Sequence, residues 1–468
     1  MSSINWADWS PEAFDKAADE GKFVLLSISA VWCHWCHVMD STTYKDEKSI
    51  ELINKHCITI RADVDKRPDI AERYNMGGYP TTVFLTSNGD LIGGGTYIPP
   101  DRFVELLERL VKTTEETKTI GVMESFAKRL KMENAPPATK LDQDLVKKFA
   151  EVSKPSYDKQ HGGWGGPNKF PMPDLVRLSW LNGNDDMAKE TLFGMAKLHD
   201  DKEGGFFRYA TKTDWSEPHY EKMLETNAEL IEIYAEAIKK EPNEDYNKML
   251  DEAIKYITTT LKNNAFHGSQ DADEEYYKSD RTGTKPKVDN VIYTYTNAMM
   301  ISALLKTEND EAHKAALDAL DWILINLLED TELFHCYDSE KQLPGLFIDY
   351  AYLIQALLDA ADNTKDAKYL ESADNLTKHV LEVFWEEKGG FGDRICTGND
   401  IGWLKHPIHD IKANSVMALN LHRLAKTKKD TELATKAKKT LLRFGNTLGS
   451  YGPQAATYAL AVHTVLNS

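Results

Sequence analysis

The stretch Phe23-Val24-Leu25-Leu26-Ser27-Ile28-Ser29-Ala30-Val31-Trp32-Cys33-His34-Trp35-Cys36-His37-Val38-Met39 joins two patterns and carries a chemistry at the join. Its first part, 22–29, is a continuous apolar, β-prone run of the kind that a strand buried on both faces requires. Behind the cysteines a helical pattern runs to about residue 55. A C-x-x-C pair set where a buried strand ends and a helix begins has its first sulfur against the unpaired N–H groups and the positive end of the helix dipole. That position favours a thiolate on Cys33, and Cys36, one turn on, resolves a mixed disulfide from within the same site.

Working outward, a second strand is expected over 58–62 and a third over 81–86, and Ser87-Asn88-Gly89-Asp90 marks a turn from which 91–95 pairs back. Helices are expected over 10–20, with Ser10 as cap and Pro11 at its first position, and over 101–114. Gly78-Tyr79-Pro80-Thr81 leads straight into the third strand, and proline has no place inside a ladder. A cis-Pro80 turn opposite the dithiol would leave the preceding backbone free to pair with an extended thiol substrate.

On these residues, 22–115 resembles thioredoxin: strand, Trp32-Cys33-x-x-Cys36 helix, Asp63-Val64-Asp65 at a strand end, then Pro80 before a strand. The resemblance implies the catalytic set Cys33, Cys36 and Pro80, with His34 and His37 beside it. Two departures stand out. Thioredoxins carry a buried acid six residues before the first cysteine, where this chain has Ser27, and Gly-Pro between the cysteines, where it has His34-Trp35. An imidazolium at His34 or His37 would favour the thiolate and move the couple towards oxidising behaviour. The same residues satisfy C-x-x-C-H, the haem c attachment pattern, and Cys33, Cys36 and His37 are also a candidate Zn2+ set. A purely structural pair is the remaining alternative.

The chain has 468 residues, too many for one ordinary core, with 41% hydrophobic and 28% charged residues. No apolar run is long enough for a bilayer, and the apolar stretch 23–30 follows an acidic and aromatic opening, against a secretory signal. A net charge of −18 repels phosphate backbones; the Lys-rich run 426–439, interrupted by Asp430 and Glu432, reads as a solvated helix face. Neither nucleic acid nor membrane is therefore expected as a partner. Five cysteines make no disulfide framework, and a cytoplasmic protein with one special pair fits them.

Three regions follow: a thioredoxin-like α/β domain over 1–117, a helix and Pro-rich linker over 118–140, and helices from 141 to 468. About twelve amphipathic helices succeed one another there. Between them recurs a Gly-aromatic loop, as in His161-Gly162-Gly163-Trp164, Gly204-Gly205-Phe206-Phe207, Phe266-His267-Gly268, Phe334-His335 and Gly389-Gly390-Phe391-Gly392. Such a repeat means stacked helical hairpins, and six of them with their loops on one face point to a closed (α/α)6 toroid, with an open superhelix as the alternative. Three clusters are candidates for its pocket. His219, Glu221 and Lys222 follow Pro218; Asp271 and Asp273 alternate in a loop; and Asp349 sits in an apolar helix, where an unpaired acid is costly. Two carboxylates would suit glycoside chemistry, and a His pair drawn from His219, His406 and His409 would suit proton abstraction beside a carbonyl.

Cys33-His34-Trp35-Cys36-His37-Val38-Met39 together with Phe170-Pro171-Met172-Pro173, Pro218-His219-Tyr220-Glu221-Lys222-Met223-Leu224 and Asp271-Ala272-Asp273 resembles, over essentially the whole chain, the family of thioredoxin-domain proteins with a C-terminal six-hairpin glycosidase-like domain (spermatogenesis-associated protein 20-like, DUF255). The helical part of that family is similar to the N-acylglucosamine 2-epimerase and cellobiose epimerase fold. The expected function is thiol-disulfide chemistry at Cys33 and Cys36, towards a thiol-bearing protein or small molecule, joined to a toroid that binds a carbohydrate or related polar metabolite. The alternatives are a glycosidase or epimerase with a regulatory thioredoxin domain, and a metal-holding or partner-docking module without catalysis.

Overall fold

The computed structural model describes residues 3–117, 132–279 and 281–467. Much of the helix and linker expected over 118–140 therefore lies outside the described residues. The chain folds into two compact units, one made of the described residues up to Asn134 together with Ile395–Pro407, the other of Ala135–Arg394 and the described residues from Ile408.

The first unit is built on a four-stranded sheet in the order β2-β1-β3-β4, from β1 (Phe23–Ser29), β2 (Cys57–Asp63), β3 (Thr81–Leu85) and β4 (Leu91–Gly95). β1 and β2 run parallel with Val24 opposite Ile58, while β3 lies antiparallel to β1 and β4 to β3. The continuous apolar run of β1 is buried from Val24 to Ile28, as a central strand demands. α1 (Pro11–Asp19) starts where Ser10 accepts the Ala13 N–H. The single helix expected behind the cysteines is instead α2 (His34–Ser41), a 3-10 turn and α3 (Glu47–His56), because the Asp46 carboxylate caps a new helix at Ser49. α4 (Pro68–Tyr74), absent from the sequence reading, and α5 (Pro100–Thr117) complete it.

Ile395–Pro407 belongs to this first unit although the chain on either side of it belongs to the second. Trp403 stacks on Tyr74 with ring centroids 5.0 Å apart, and the Tyr74 hydroxyl donates to Gly89 O and accepts from Trp403 N. The buried Arg73 guanidinium donates to the carbonyls of Trp403 (2.9 Å) and His406 (2.7 Å). Gly402 has φ +57°, and a Cβ there would meet the Tyr74 hydroxyl.

In the second unit six inner helices close a ring: Pro173–Leu181, Leu224–Lys240, Thr294–Leu305, Phe347–Thr364, Ile411–Lys428 and Ala455–Asn467, the last packed back on the first. Leu145–Ser153, Asp185–Ala196, Glu244–Tyr256, Asp310–Asn326, Ala367–Val383 and Thr431–Leu442 lie outside it. The first five inner helices each turn into an outer partner through two to four residues, and the long Gly-aromatic loops lie at the other end. This is the closed toroid. The open superhelix is not formed.

The repeat has a physical cause. In three hairpins the aromatic residue's backbone is clasped by an inner-helix asparagine whose amide both donates and accepts: Asn227 with Phe206, Asn297 with Phe266, and Asn414 with Phe391. Before Phe206 and Phe391, though not before Phe266, paired glycines take positive φ, and a Cβ on Gly204 or Gly389 would strike the carbonyl of Glu252 or Lys439 on the outer helix. The unit is not wholly helical, since Glu332–Asp338 and Glu340–Pro344 form a hairpin. No helix among the described residues is long and apolar enough to cross a membrane.

Candidate functional site

Cys33 is the N-cap of α2, in extended conformation, and its sulfur accepts the Cys36 N–H at 3.2 Å. The two cysteines are joined as a disulfide with Cα atoms 5.3 Å apart, both buried. The residue before them is anchored, because the Trp32 indole N–H donates to Asp65 Oδ2, two residues past the end of β2 (2.6 Å). The edge of Trp32 meets Tyr79, 6.2 Å between centroids, and the Tyr79–Pro80 peptide is cis, so the Pro80 loop lies alongside the dithiol. That loop is ordered by Asn75, whose side-chain oxygen accepts from Gly77 N and Gly78 N. Val31 and Trp35 are exposed beside the pair.

The two histidines behave differently. His34 meets Trp35 edge-on at 5.8 Å, whereas His37 turns its Nε2 onto the Val31 carbonyl at 2.9 Å. Among the described residues no group of three or more His, Cys, Asp or Glu is arranged to hold a metal ion. Ser27 is buried opposite Thr82, and the Tyr44 and Thr82 hydroxyls bond at 3.1 Å. Burial pushes the Tyr44 phenol up, so neutral hydroxyls occupy the interior where a thioredoxin carries an acid.

The second site is a cavity of about 720 Å³ to which all six inner helices of the ring contribute. Glu225, Glu229 and Glu232 recur at four- and three-residue spacing along Leu224–Lys240 and so share its inward face. Each is answered from another helix. Lys412 binds Glu229 at 2.5 Å and Glu225 at 3.8 Å, Lys306 binds Glu232, and Arg177 reaches Glu232, Glu236 and Asp174. Arg423 donates to Asp359 at 2.7 Å. Burial pushes Glu232 up, but Lys306 and Arg177 outweigh it and hold the carboxyl at about 2. Burial likewise disfavours the Lys412 ammonium, and Glu229, Tyr352 and Glu225 more than restore it. Glu229 itself is raised, chiefly by burial.

Residues 1–131 match the family described as a protein of unknown function, DUF255, whose model is that of a DsbH-type thioredoxin domain, and residues 204–394 match the N-acylglucosamine 2-epimerase family. The chain thus joins a thioredoxin-like domain that matches the DUF255 model to a helical domain that is similar to the epimerase family. Spermatogenesis-associated protein 20 of Homo sapiens is 28% identical over 335 residues, 63% of this chain and 41% of that protein, so the chain spans well under half the length of this relative. A D-mannose isomerase shares the fold of the helical domain with a TM-score of 0.54 at 13% identity, over 65% of this chain and 85% of that one. The cellobiose 2-epimerase of Bacillus thermoamylovorans does so with 0.53 at 10%, over 66% and 87%.

The epimerase-like domain does not gather the eight pocket residues read from the sequence, and none of them lines its cavity. Asp349 is fully buried and accepts from His335 Nδ1 (2.9 Å) and from Tyr295 N (3.1 Å), which ties three inner-wall segments together. Lys222 is equally buried and donates to Asp200 (2.7 Å) and to Gly204 O, under the face of Tyr256. Asp273 caps the short helix Glu274–Lys278, and Asp271 accepts from Ala272 N. His409 lies between Arg443 (2.9 Å) and Glu386 (3.2 Å). His406 is in the DUF255 unit. His219 and Glu221 do meet, through Nδ1 and Oε2, and stacked rings lead from His219 through Tyr209 to Phe170, next to Pro171 on the cavity wall.

What the sequence reading missed is the ionic lining itself. The signal was present in Glu225, Glu229 and Glu232, three acids on one stripe of a helix whose buried positions are apolar apart from Asn227. Their cationic partners stand singly on other helices, where no local pattern marks them.

Proposed function

We propose that the DUF255 domain exchanges thiols and disulfides through Cys33. A substrate thiolate attacks Cys33 Sγ and the Cys36 thiolate leaves with the electron pair. A second substrate thiol then displaces Cys33, so that the substrate becomes a disulfide and both cysteines end reduced. The observation that carries this is the placement of Cys33 at the cap of α2 with its sulfur on the Cys36 N–H, beside the Pro80 loop. The same N–H would stabilise the Cys33 thiolate once the pair is reduced. The natural partner is a thiol-bearing protein or small molecule in the cytoplasm, in keeping with Cys57, Cys336 and Cys396 lying outside any disulfide.

Alkylation of the reduced chain as a function of pH, with equilibration in glutathione buffers, tests it. The expected result is a Cys33 pKa clearly below the ordinary ~8.5 and a disulfide that forms and opens with the buffer. An ordinary pKa with no disulfide at any poise would end the redox reading.

The toroid supports a second activity, the binding of a polar, hydroxyl-rich metabolite such as a carbohydrate in its axial cavity. The favouring observation is that the axis is open and walled by alternating carboxylates and cations, since such walls both donate to and accept from hydroxyl groups. Titration calorimetry of the full chain with simple sugars is the direct check.

A further inference from the structure

We infer that the end of the axial cavity remote from the Gly-aromatic loops holds a ligand subsite, built on Ser302 and Asp359, for a hydroxyl- or amine-bearing group without negative charge. The inference rests on the reading of the cavity as a metabolite site and locates where in it the ligand is anchored.

Buried polar atoms in folded proteins are almost all paired. Two that are not lie on this wall: Ser302 Oγ and Asp359 Oδ2 have no hydrogen-bond partner among the described residues, and both residues line the cavity. Ser302 is only 3% exposed. Two other serines on the inner ring supply a control. Ser179 and Ser415 donate back to the carbonyls of Leu175 and Ile411, four residues earlier, in the usual way of a serine within a helix. Ser302 makes no such bond. Asp359 uses one oxygen to accept from Arg423 and keeps the other free. Both residues sit in the later half of adjacent inner helices, close to the turns that lead to the outer ring.

The open functions define the ligand group. Asp359 Oδ2 needs a donor, and the Ser302 hydroxyl either donates or accepts. The nearby cations are committed, Lys306 to Glu232 and Arg423 to Asp359 and Asp362. The wall as a whole carries five carboxylates against four Lys and Arg side chains. A phosphate or carboxylate entering this end would meet like charge with no uncommitted cation among the described residues, whereas an alcohol or an ammonium suits the open function of each atom.

The test is calorimetry on the full chain with D-mannose, D-glucosamine and D-mannose 6-phosphate, combined with melting of the unliganded variants. We expect the neutral or the amino sugar to bind and the 6-phosphate to bind at least tenfold more weakly. Ser302→Ala should weaken the bound sugar by about tenfold while the unliganded variant melts at the same temperature or ~1–3 °C higher, because an unpaired hydroxyl has been removed. Asp359→Asn turns the open acceptor into a donor, so it should abolish binding of an amine and only weaken that of an alcohol, which separates the two ligand sources. Unchanged affinity in Ser302→Ala, a fall of several degrees in its melting temperature, or preferential binding of the 6-phosphate would overturn the subsite while leaving the cavity reading in place. Failure of both sugars to bind the wild-type chain would instead overturn the cavity reading, and the subsite with it.

Discussion

Cysteine and carboxylate chemistry here is decided by burial and immediate neighbours. Cys57 begins β2 inside the DUF255 unit, and burial pushes its thiol up to about 12, whereas Cys396 is exposed. A thiol so raised is almost wholly protonated at pH 8 and unreactive. Iodoacetamide at pH 8 should therefore modify Cys396 and, after reduction, Cys33 in the native protein, and spare Cys57 and Cys336; mass spectrometry of digests reads this directly, and labelling of native Cys57 would contradict its placement. Glu232 gives a pH dependence of definite sign. Its carboxyl is held near 2 in the folded chain against an ordinary 4.5, so it contributes stability that is present above pH 4.5 and lost as the pH falls towards 2. Glu232→Gln should lower stability at neutral pH by about 2 kcal/mol and flatten the acid limb of a urea-midpoint against pH profile in that window. An acid limb unchanged by the substitution would show that the Lys306 and Arg177 pairing is energetically idle.

At the level of elements, local signals were largely sufficient. The caps at Ser10, the β-prone runs and the amphipathic helices all depend on neighbours within a few residues, and they appear close to where they were read. The exceptions have local causes too weak to see in advance. Asp46 restarts a helix that periodicity alone would have continued, and the hairpin Glu332–Asp338 with Glu340–Pro344 turns on Ser339 with φ +58° instead of a glycine. The Gly-aromatic loops were legible as a repeat, but their reason, the asparagine clasp, links residues 21 to 31 positions apart. Asn227→Ala, Asn297→Ala and Asn414→Ala should each cost about 1–3 kcal/mol, since each strands a buried backbone N–H and C=O. Thermal melts of the three single variants check this. Losses of a few tenths would mean that the loop backbone finds other partners.

For the whole molecule, the informative feature is that the DUF255 unit is completed by Ile395–Pro407, far along the chain from its other residues. The segment supplies two carbonyl acceptors of buried Arg73, those of Trp403 and His406, and the ring that covers Tyr74. A fragment ending at Asn134 should consequently unfold several kcal/mol more easily than the same unit in the full chain, because it exposes Tyr74 and removes two carbonyl acceptors from the buried Arg73 guanidinium. Urea titrations followed at the cysteines by pulsed alkylation compare the two, and a peptide of 395–407 added in trans should recover part of the loss. Equal midpoints would show that the segment only rests on the surface of the unit.

The amino-acid sequence by itself determined the dithiol at a strand-to-helix junction, the cis-Pro80 loop beside it, and the succession of helical hairpins with a repeating Gly-aromatic loop. These are properties of short windows, where propensity, period and turn chemistry act. It did not determine which charged side chains share the axis of the ring. Asp349, Lys222, Asp273 and His409 carry groups suited to catalysis but fold into pairs and caps. The cavity is instead walled by Glu225, Glu229 and Glu232 with partners such as Lys412, 183 positions from Glu229. Only closure of the ring decides that, because a helix stripe records the periodicity of its own face and carries no record of the helix it will meet.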